Sequence, residues 1–170
     1  MFISVEIDKR RLLNPGRKLE KALAKATTSA ARALRAAATK SVRQRKRFKV
    51  SKLRRALPLR RVNTQEWRMG VSGETMPVAS FPYRQVKRGV SVAINQGQRK
   101  LIKSAFVATM KSGHRGVFRR VGKSRLPIEE LFTTRVSDVF NDQGMLPAVL
   151  GRTQDVFRST FERLMPGSLL

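Results

Sequence analysis

The stretch that decides the fold is SAFVATMKSGHRGVFRRVGKSRLPIEELF, residues 104–132. Two runs within it, SAFVATMK and GVFRRV, are rich in β-branched and aromatic residues and are separated by the turn-forming sequence SGHRG. A second turn-forming sequence, VGKSR, connects GVFRRV to the segment LPIEEL. We therefore predict a β-hairpin with Gly113 in its turn, followed by an extended segment.

Two features of this stretch resemble chemical sites, namely His114 and the sequence Gly-Lys-Ser at 122–124. A catalytic histidine needs an orienting acid and a nucleophile within hydrogen-bond reach, and the nearby serines form no recognised nucleophile pattern. A phosphate-binding loop needs an earlier glycine, where this chain has Val117, and a following helix, which Pro127 opposes. We interpret His114 as a turn residue that bonds locally, and the spacing excludes a nucleotide-binding loop.

The charged pairs in the stretch have a simple geometric interpretation. Glu129 and Glu130 are adjacent, so on a strand they point to opposite faces and cannot act together as acid and base. We interpret them as solvated carboxylates or as groups that meet a basic surface on a neighbouring copy. Arg119 and Arg120 also face opposite ways, so we expect one at the edge of the core and the other exposed.

Composition limits the function classes that remain. The chain has 170 residues, which suits a single domain over 1–170. It has no cysteine and one histidine, so we predict no disulfide, no metal and no cofactor. No run approaches the roughly 18 consecutive apolar residues of a membrane span, and the N-terminus does not have the order of a signal peptide. We predict that the protein is not an enzyme.

Charge is the dominant property of the sequence. Thirty-seven Lys and Arg residues against eleven Asp and Glu residues give a formal net charge of +26. Twenty of the basic residues and a single acid, Glu20, lie in residues 9–61. Such an excess repels itself in the folded state unless a polyanion or an acidic neighbour offsets it. The candidates are nucleic acid, an anionic membrane surface and an acidic protein partner.

The densest basic run, residues 40–61, is the main candidate binding segment. It contains one aromatic residue, Phe48, so it lacks the stacking platforms that read bases. We predict contact with a DNA backbone or with an acidic partner ring, and a solvated face is the alternative. The candidate contacts are Arg43, Arg45, Lys46, Arg47, Lys49, Lys52, Arg54, Arg55, Arg60 and Arg61.

Periodicity and turn residues predict the remaining elements. Asn14 and Pro15 are a favourable helix start, and Pro58 ends a short helix. Gly144 and Pro147 indicate a break near the C-terminus. Runs of strands beside segregated helices give an α+β fold, with a long N-terminal and a C-terminal helix packed on a small antiparallel sheet of three to four strands. The predicted elements are a strand at 1–8, a long helix at 15–44, a short helix at 51–57, an antiparallel sheet at 65–122 with an irregular loop at 72–85, and a helical region at 136–165.

The stretch 104–132 resembles the signature region of the phage minor tail protein Z family, the tail completion proteins. In that family an AF strand is followed by a Gly/His turn, a VFxR strand and an RxPI segment. The matching positions here include His114 at the turn. The resemblance implies a structural or inter-subunit role for Phe106, Gly113, Phe118, Arg120, Arg125, Pro127, Ile128, Glu129 and Glu130.

The resemblance implies a non-enzymatic virion component, made in the host cytoplasm, at the head-proximal end of a phage tail. Such a protein forms a homo-oligomeric ring, with six-fold symmetry by analogy with tails, and aids head–tail joining and DNA passage or positioning. Its implied partners are the tail terminator, the tail tube, the head–tail connector and genomic DNA bound without sequence preference, and no membrane. The alternative that the residues leave open is a stand-alone basic nucleic-acid-binding protein.

Overall fold

The computed structural model describes residues 2–5, 16–141 and 144–166 and shows an α+β fold, as predicted. Long first and last helices accompany short antiparallel strands. The described helices are α1 (Arg17–Arg45), α2 (Val50–Ala56), α3 (Val136–Phe140) and α4 (Met145–Leu164). The described strands are β1 (Phe2–Val5), β2 (Leu59–Arg61), β3 (Trp67–Gly70), β4 (Thr75–Pro77), β5 (Tyr83–Val86), β6 (Gly89–Val92), β7 (Lys100–Lys103), β8 (Ala105–Thr109), β9 (Arg115–Arg120), β10 (Ile128–Glu130) and β11 (Phe132–Arg135).

Helix α1 is held at its start by backbone contacts and along its first half by α4. The Gly16 carbonyl accepts the N–H groups of Leu19 and Glu20, whereas the predicted start residues 14 and 15 lie outside the described residues. Ala22 and Ala26 form a small cluster with the α4 aromatics, whose rings stack 6.0 Å apart at Phe157 and Phe161. Alanines let α4 approach closely here, so the basic residues of α1 remain on its other faces.

Helix α2 lies beside the main hydrophobic core. It occupies 50–56, one residue earlier than the predicted 51–57, and Ser51 lies inside the helix instead of capping it. Leu53 is fully buried in the core. The Phe48 ring, just before α2, packs 4.4 Å from the Phe81 ring. Together these contacts join α2 to the second half of α1.

The strands form four small antiparallel sheets, so the prediction of one sheet of three to four strands is wrong in number. The orders are β1-β3-β2, β4-β11, β5-β6-β7 and β8-β9-β10. The separation of β7 and β8 into different sheets has a local cause. Ser104, which lies between them, has a positive φ of 59° and turns the chain. These two consecutive strands therefore belong to different sheets.

The segment predicted as an irregular loop, residues 72–85, contains regular structure and is buried at its centre, residues 78–81. It contains β4, a 3-10 turn at Val78–Ser80 and the start of β5. Phe81 is fully buried, and the Val78 N–H donates to the Leu131 carbonyl at 2.8 Å. Pro77 faces Phe132 of β11, so the pairing partner of this segment comes from a distant part of the chain.

The predicted helical region 136–165 is two helices, α3 and α4, with the expected break at Gly144. That glycine has the left-handed φ of 87° and immediately precedes α4. Pro147 lies in the first turn of α4, where a missing N–H leaves no helical hydrogen bond unmade. The break therefore coincides with Gly144, and Pro147 is accommodated within the first turn of the second helix.

Candidate functional site

The signature stretch folds as the predicted hairpin. Strands β8 and β9 pair antiparallel with Phe106 opposite Phe118. Between them the Met110 N–H donates to the His114 carbonyl at 2.8 Å, and the Gly113 N–H donates to the Met110 carbonyl at 2.9 Å. Gly113 has φ +78°, a conformation that glycine adopts without strain. Gly113 therefore has a turn-forming role.

Strand β10 adds to the other edge of β9, so the predicted extended segment is a third strand of this sheet. Ile128, Glu129 and Glu130 lie opposite Arg120, Arg119 and Phe118, respectively. The intervening loop, 121–127, is exposed. It carries Arg125 and Pro127 at the surface, which places these two signature residues where another molecule can reach them.

One face of this sheet carries a small cluster centred on Phe118, which is 4% exposed. The Phe106 ring lies 6.4 Å from it, and the His114 ring meets its edge at the same centroid distance. His114 Nε2 lies 3.0 Å from Glu130 Oε2. A Cβ on Gly116 would lie 2.7 Å from Glu130 Oε1 and 2.9 Å from the Phe118 ring, so the cluster needs glycine there.

The interpretation of Glu130 as solvated or facing another copy is therefore corrected. Its side chain is 18% exposed and pairs with His114 of the same chain, because the turn and β10 are neighbours across the sheet. Glu129 is exposed, in line with its opposite direction on the strand. The expectation that Arg119 or Arg120 lies at the core edge is wrong, since both are exposed. Arg120 lies over the Phe106 ring, 5.8 Å from its centroid.

The described ranges contain neither a clustered metal-ligand set nor a membrane-spanning helix. Within 2–5, 16–141 and 144–166, no group of three or more His, Cys, Asp and Glu residues is placed to hold a metal ion. In the same ranges, no helix is long and apolar enough to cross a membrane.

Several of the ten basic candidates have partners inside the fold, and one of them, Arg61, donates from Nε to the Asn63 carbonyl at 3.1 Å. Lys46 Nζ donates to Asn95 Oδ1 at 2.7 Å. Lys49 Nζ donates to the Ala79 carbonyl at 2.9 Å and lies 4.8 Å from the centroid of the Tyr83 ring. Partial burial, with the charges of Lys52 and Arg115, lowers the pKa of Lys49 below its usual 10.5. These two lysines therefore help to hold α1 and α2 against the sheets.

The other candidates do not form one continuous patch. Arg60 and Arg61 are exposed on β2, where neighbouring residues face opposite ways. Arg47 and Arg55 are exposed and Arg45 and Lys52 half-buried near α2. The remaining two, Arg43 and Arg54, line a depression of about 700 Å³ between α1 and α2.

That depression brings five basic side chains together. Besides Arg43 and Arg54, it is lined by Lys40, the first residue of the run 40–61, and by two basic residues of α1 that the sequence prediction missed, Arg32 and Arg35. A search for dense runs of Lys and Arg finds residues 40–61 and misses basic residues that are spaced along a helix. Arg35, Lys40 and Arg43 lie 3, 8 and 11 residues after Arg32, so the four side chains fall on one broad face of α1, and this spacing is the signal that finds them.

We expect the melting temperature to rise with KCl concentration. Salt screens the repulsion among the cations that give the net charge of +26. Each gain of about 1 kcal/mol corresponds to a rise of roughly 2–4 °C in a chain of this size. Thermal unfolding followed by circular dichroism measures the effect, and a fall in melting temperature over the same series would show that ion pairs outweigh repulsion.

The architecture is that of a small, strongly basic α+β protein. The family model of the prophage minor tail protein Z matches residues 7–144. The chain therefore belongs to this family of structural phage tail proteins, which makes it a virion component. No curated protein and no solved structure matches the chain.

Proposed function

We propose that this minor tail protein completes the head-proximal end of the tail as a homo-oligomeric ring. In that position it aids head–tail joining and the passage or positioning of DNA. The observation that carries the proposal is the basic depression between α1 and α2, on a member of a phage tail family. In such a ring, this surface faces DNA or acidic neighbouring rings. Their anionic groups offset the net charge of +26.

Ring formation also gives the exposed part of the signature sheet a role. The loop 121–127 carries Leu126 at 68% exposure and Val121 at 58% exposure, and Phe132 follows at 54%. Exposed apolar side chains on a charged surface are typical of contact sites. In the proposed ring, this edge of the sheet contacts an adjacent subunit, and the ring has six-fold symmetry. The neighbours of the ring are the tail tube, the tail terminator and the head–tail connector.

Deletion of the gene from a phage that encodes this chain tests the proposal. We expect filled heads and tails to accumulate unjoined, and wild-type protein supplied in trans to restore joined particles. Electron microscopy of the lysate counts joined particles, and immunogold labelling locates the protein at the head-proximal end of the tail. Its absence from purified virions would contradict the proposal.

Sedimentation of the purified protein separates the ring from a stand-alone nucleic-acid-binding protein. The proposed function predicts a closed oligomer, alone or after addition of isolated tails. A monomer or dimer that binds DNA tightly and never enters tails would favour the alternative.

A further inference from the structure

A second depression continues the first along α1. It has a volume of about 450 Å³ and lies between the first half of α1 and the end of α4. Arg32 lines both depressions, so they meet at this residue. We call the combined feature, from Lys25 to Arg43, the α1 furrow. At about 1.5 Å per helical residue, these eighteen steps make the furrow roughly 27 Å long.

The α1 furrow is lined by cations without intramolecular partners. The second depression adds Lys25 and Arg163 to the five basic residues of the first. Among the described residues, none of these seven side chains forms a hydrogen bond or an ion pair, and no carboxylate lines the furrow. A concave surface lined by one sign of charge focuses its field on an approaching ion of the opposite sign. The furrow therefore favours an extended anion over a single small one.

The polar groups in the furrow match phosphate oxygens better than base edges. The hydroxyl of Thr28 donates to the Ala24 carbonyl at 2.8 Å, and that of Thr39 donates to the Arg35 carbonyl at 2.7 Å. Both hydroxyl groups therefore donate within α1, and the guanidinium and ammonium groups are the main donors available to a ligand. No aromatic ring lines either depression in the described part of the chain, so stacking on bases has no platform there.

The frame of the furrow is already fixed. Gln96 Nε2 donates to the Arg43 carbonyl at 2.7 Å, and the Arg47 N–H donates to the Ile94 carbonyl at 2.8 Å. These bonds hold the loop between β6 and β7 against the end of α1, while α4 packs along the other half. Binding then requires ordering of long side chains but no movement of the backbone.

We propose that the α1 furrow binds the phosphodiester backbone of duplex DNA without sequence preference. Duplex DNA carries phosphates along its whole length, so a furrow roughly 27 Å long meets several of them, and its seven cations are opposite in sign to this row of anions. An acidic protein segment would need an apolar anchor at the centre of its interface. The furrow has apolar side chains such as Val50 and Leu164 toward its two ends and arginines between them. This site rests on the proposed function, since a ring around the DNA channel brings the duplex to it.

Two triple variants with equal charge loss test the site. The furrow variant carries Arg32→Gln, Arg35→Gln and Arg43→Gln. The matched control carries Arg84→Gln, Lys87→Gln and Arg119→Gln, three exposed positions outside the furrow. Fluorescence anisotropy with a labelled duplex of mixed sequence measures affinity over a series of KCl concentrations. Thermal unfolding of both variants confirms that each is folded.

We expect the furrow variant to lose three phosphate contacts. At about 0.9 per contact, the slope of log K against log salt becomes shallower by roughly 2–3, and affinity falls about 100-fold near 0.1 M salt. The control should change the slope by less than about 1. Equal losses of DNA affinity in the two variants, or no DNA binding by the wild-type chain, would contradict the proposal that the furrow binds DNA. So would a furrow variant that keeps its DNA affinity but loses binding to polyglutamate, since the occupant would then be an acidic protein.

Particle assembly distinguishes this inference from the proposed function. If the furrow variant loses DNA affinity and the wild-type protein is absent from virions, the furrow stands and the position in the tail fails. If the protein enters virions and the furrow variant keeps its DNA affinity, the position stands and the furrow fails.

Discussion

Gly89→Ala is expected to destabilise the protein by roughly 4 kcal/mol or more, a size reserved for severe backbone or core defects. Gly89 begins β6 with φ +148°, and an added Cβ would lie 2.1 Å from the Ile102 carbonyl oxygen. That oxygen belongs to β7, which pairs with β6 from Gly89↔Lys103 to Val92↔Lys100. The clash is with backbone, so side-chain rotation cannot relieve it. Urea denaturation followed by circular dichroism measures the loss.

Two other glycines provide controls for this substitution. Gly97 has φ +72°, but an added Cβ there would have no neighbour within 4 Å, so Gly97→Ala adds only the left-handed backbone strain of about 1–2 kcal/mol. Gly73 has neither positive φ nor a close neighbour, so Gly73→Ala should stay within about 0.5 kcal/mol of the wild type. If Gly89→Ala is as mild as Gly97→Ala, the pairing of β6 with β7 is wrong.

The parts of the fold that the sequence predicts well are those that depend on near neighbours. The repeat of leucine and alanine sets α1, and SGHRG sets the turn between β8 and β9, because each signal lies inside its own element. The segment 72–85 is the opposite case. Its order depends on β11, whose Phe132 and Arg135 lie opposite Pro77 and Thr75. Local composition, with its prolines, favours a loop and contains no trace of that partner.

Local sequence is also insufficient to predict which basic residues belong to the candidate site. The density of Lys and Arg in 40–61 points to the correct region, yet Lys46 and Lys49 there are engaged with Asn95 and Ala79. Those partners become neighbours only when the chain folds back onto the end of α1. Arg32 and Arg35 precede the dense run, and they become part of the site because α4 covers the other side of α1. Their exposure therefore follows from packing and cannot be derived from local charge density.

Phe118→Ala is expected to cost about 3–4 kcal/mol and to weaken assembly of the tail. The ring is 4% exposed and packs beside Phe106 and His114, and truncation of a buried phenylalanine leaves a cavity that the sheet cannot fill. Gly116, beside it, has no side chain that could move into the space. Urea denaturation measures the stability, and complementation of a phage that lacks the gene measures assembly.

His114→Ala is the matched comparison in the same cluster, and we expect it to cost less than about 1 kcal/mol and to leave assembled tails functional. The His114 side chain is 48% exposed, so water replaces much of its 3.0 Å contact with Glu130. Phe118→Leu should fall between the two, because leucine refills part of the cavity. A His114→Ala variant as unstable as Phe118→Ala would mean that the His114–Glu130 pair holds β10 on the sheet. A stable His114→Ala ring that fails to join heads would instead assign the histidine a role in assembly, and the turn interpretation would be wrong.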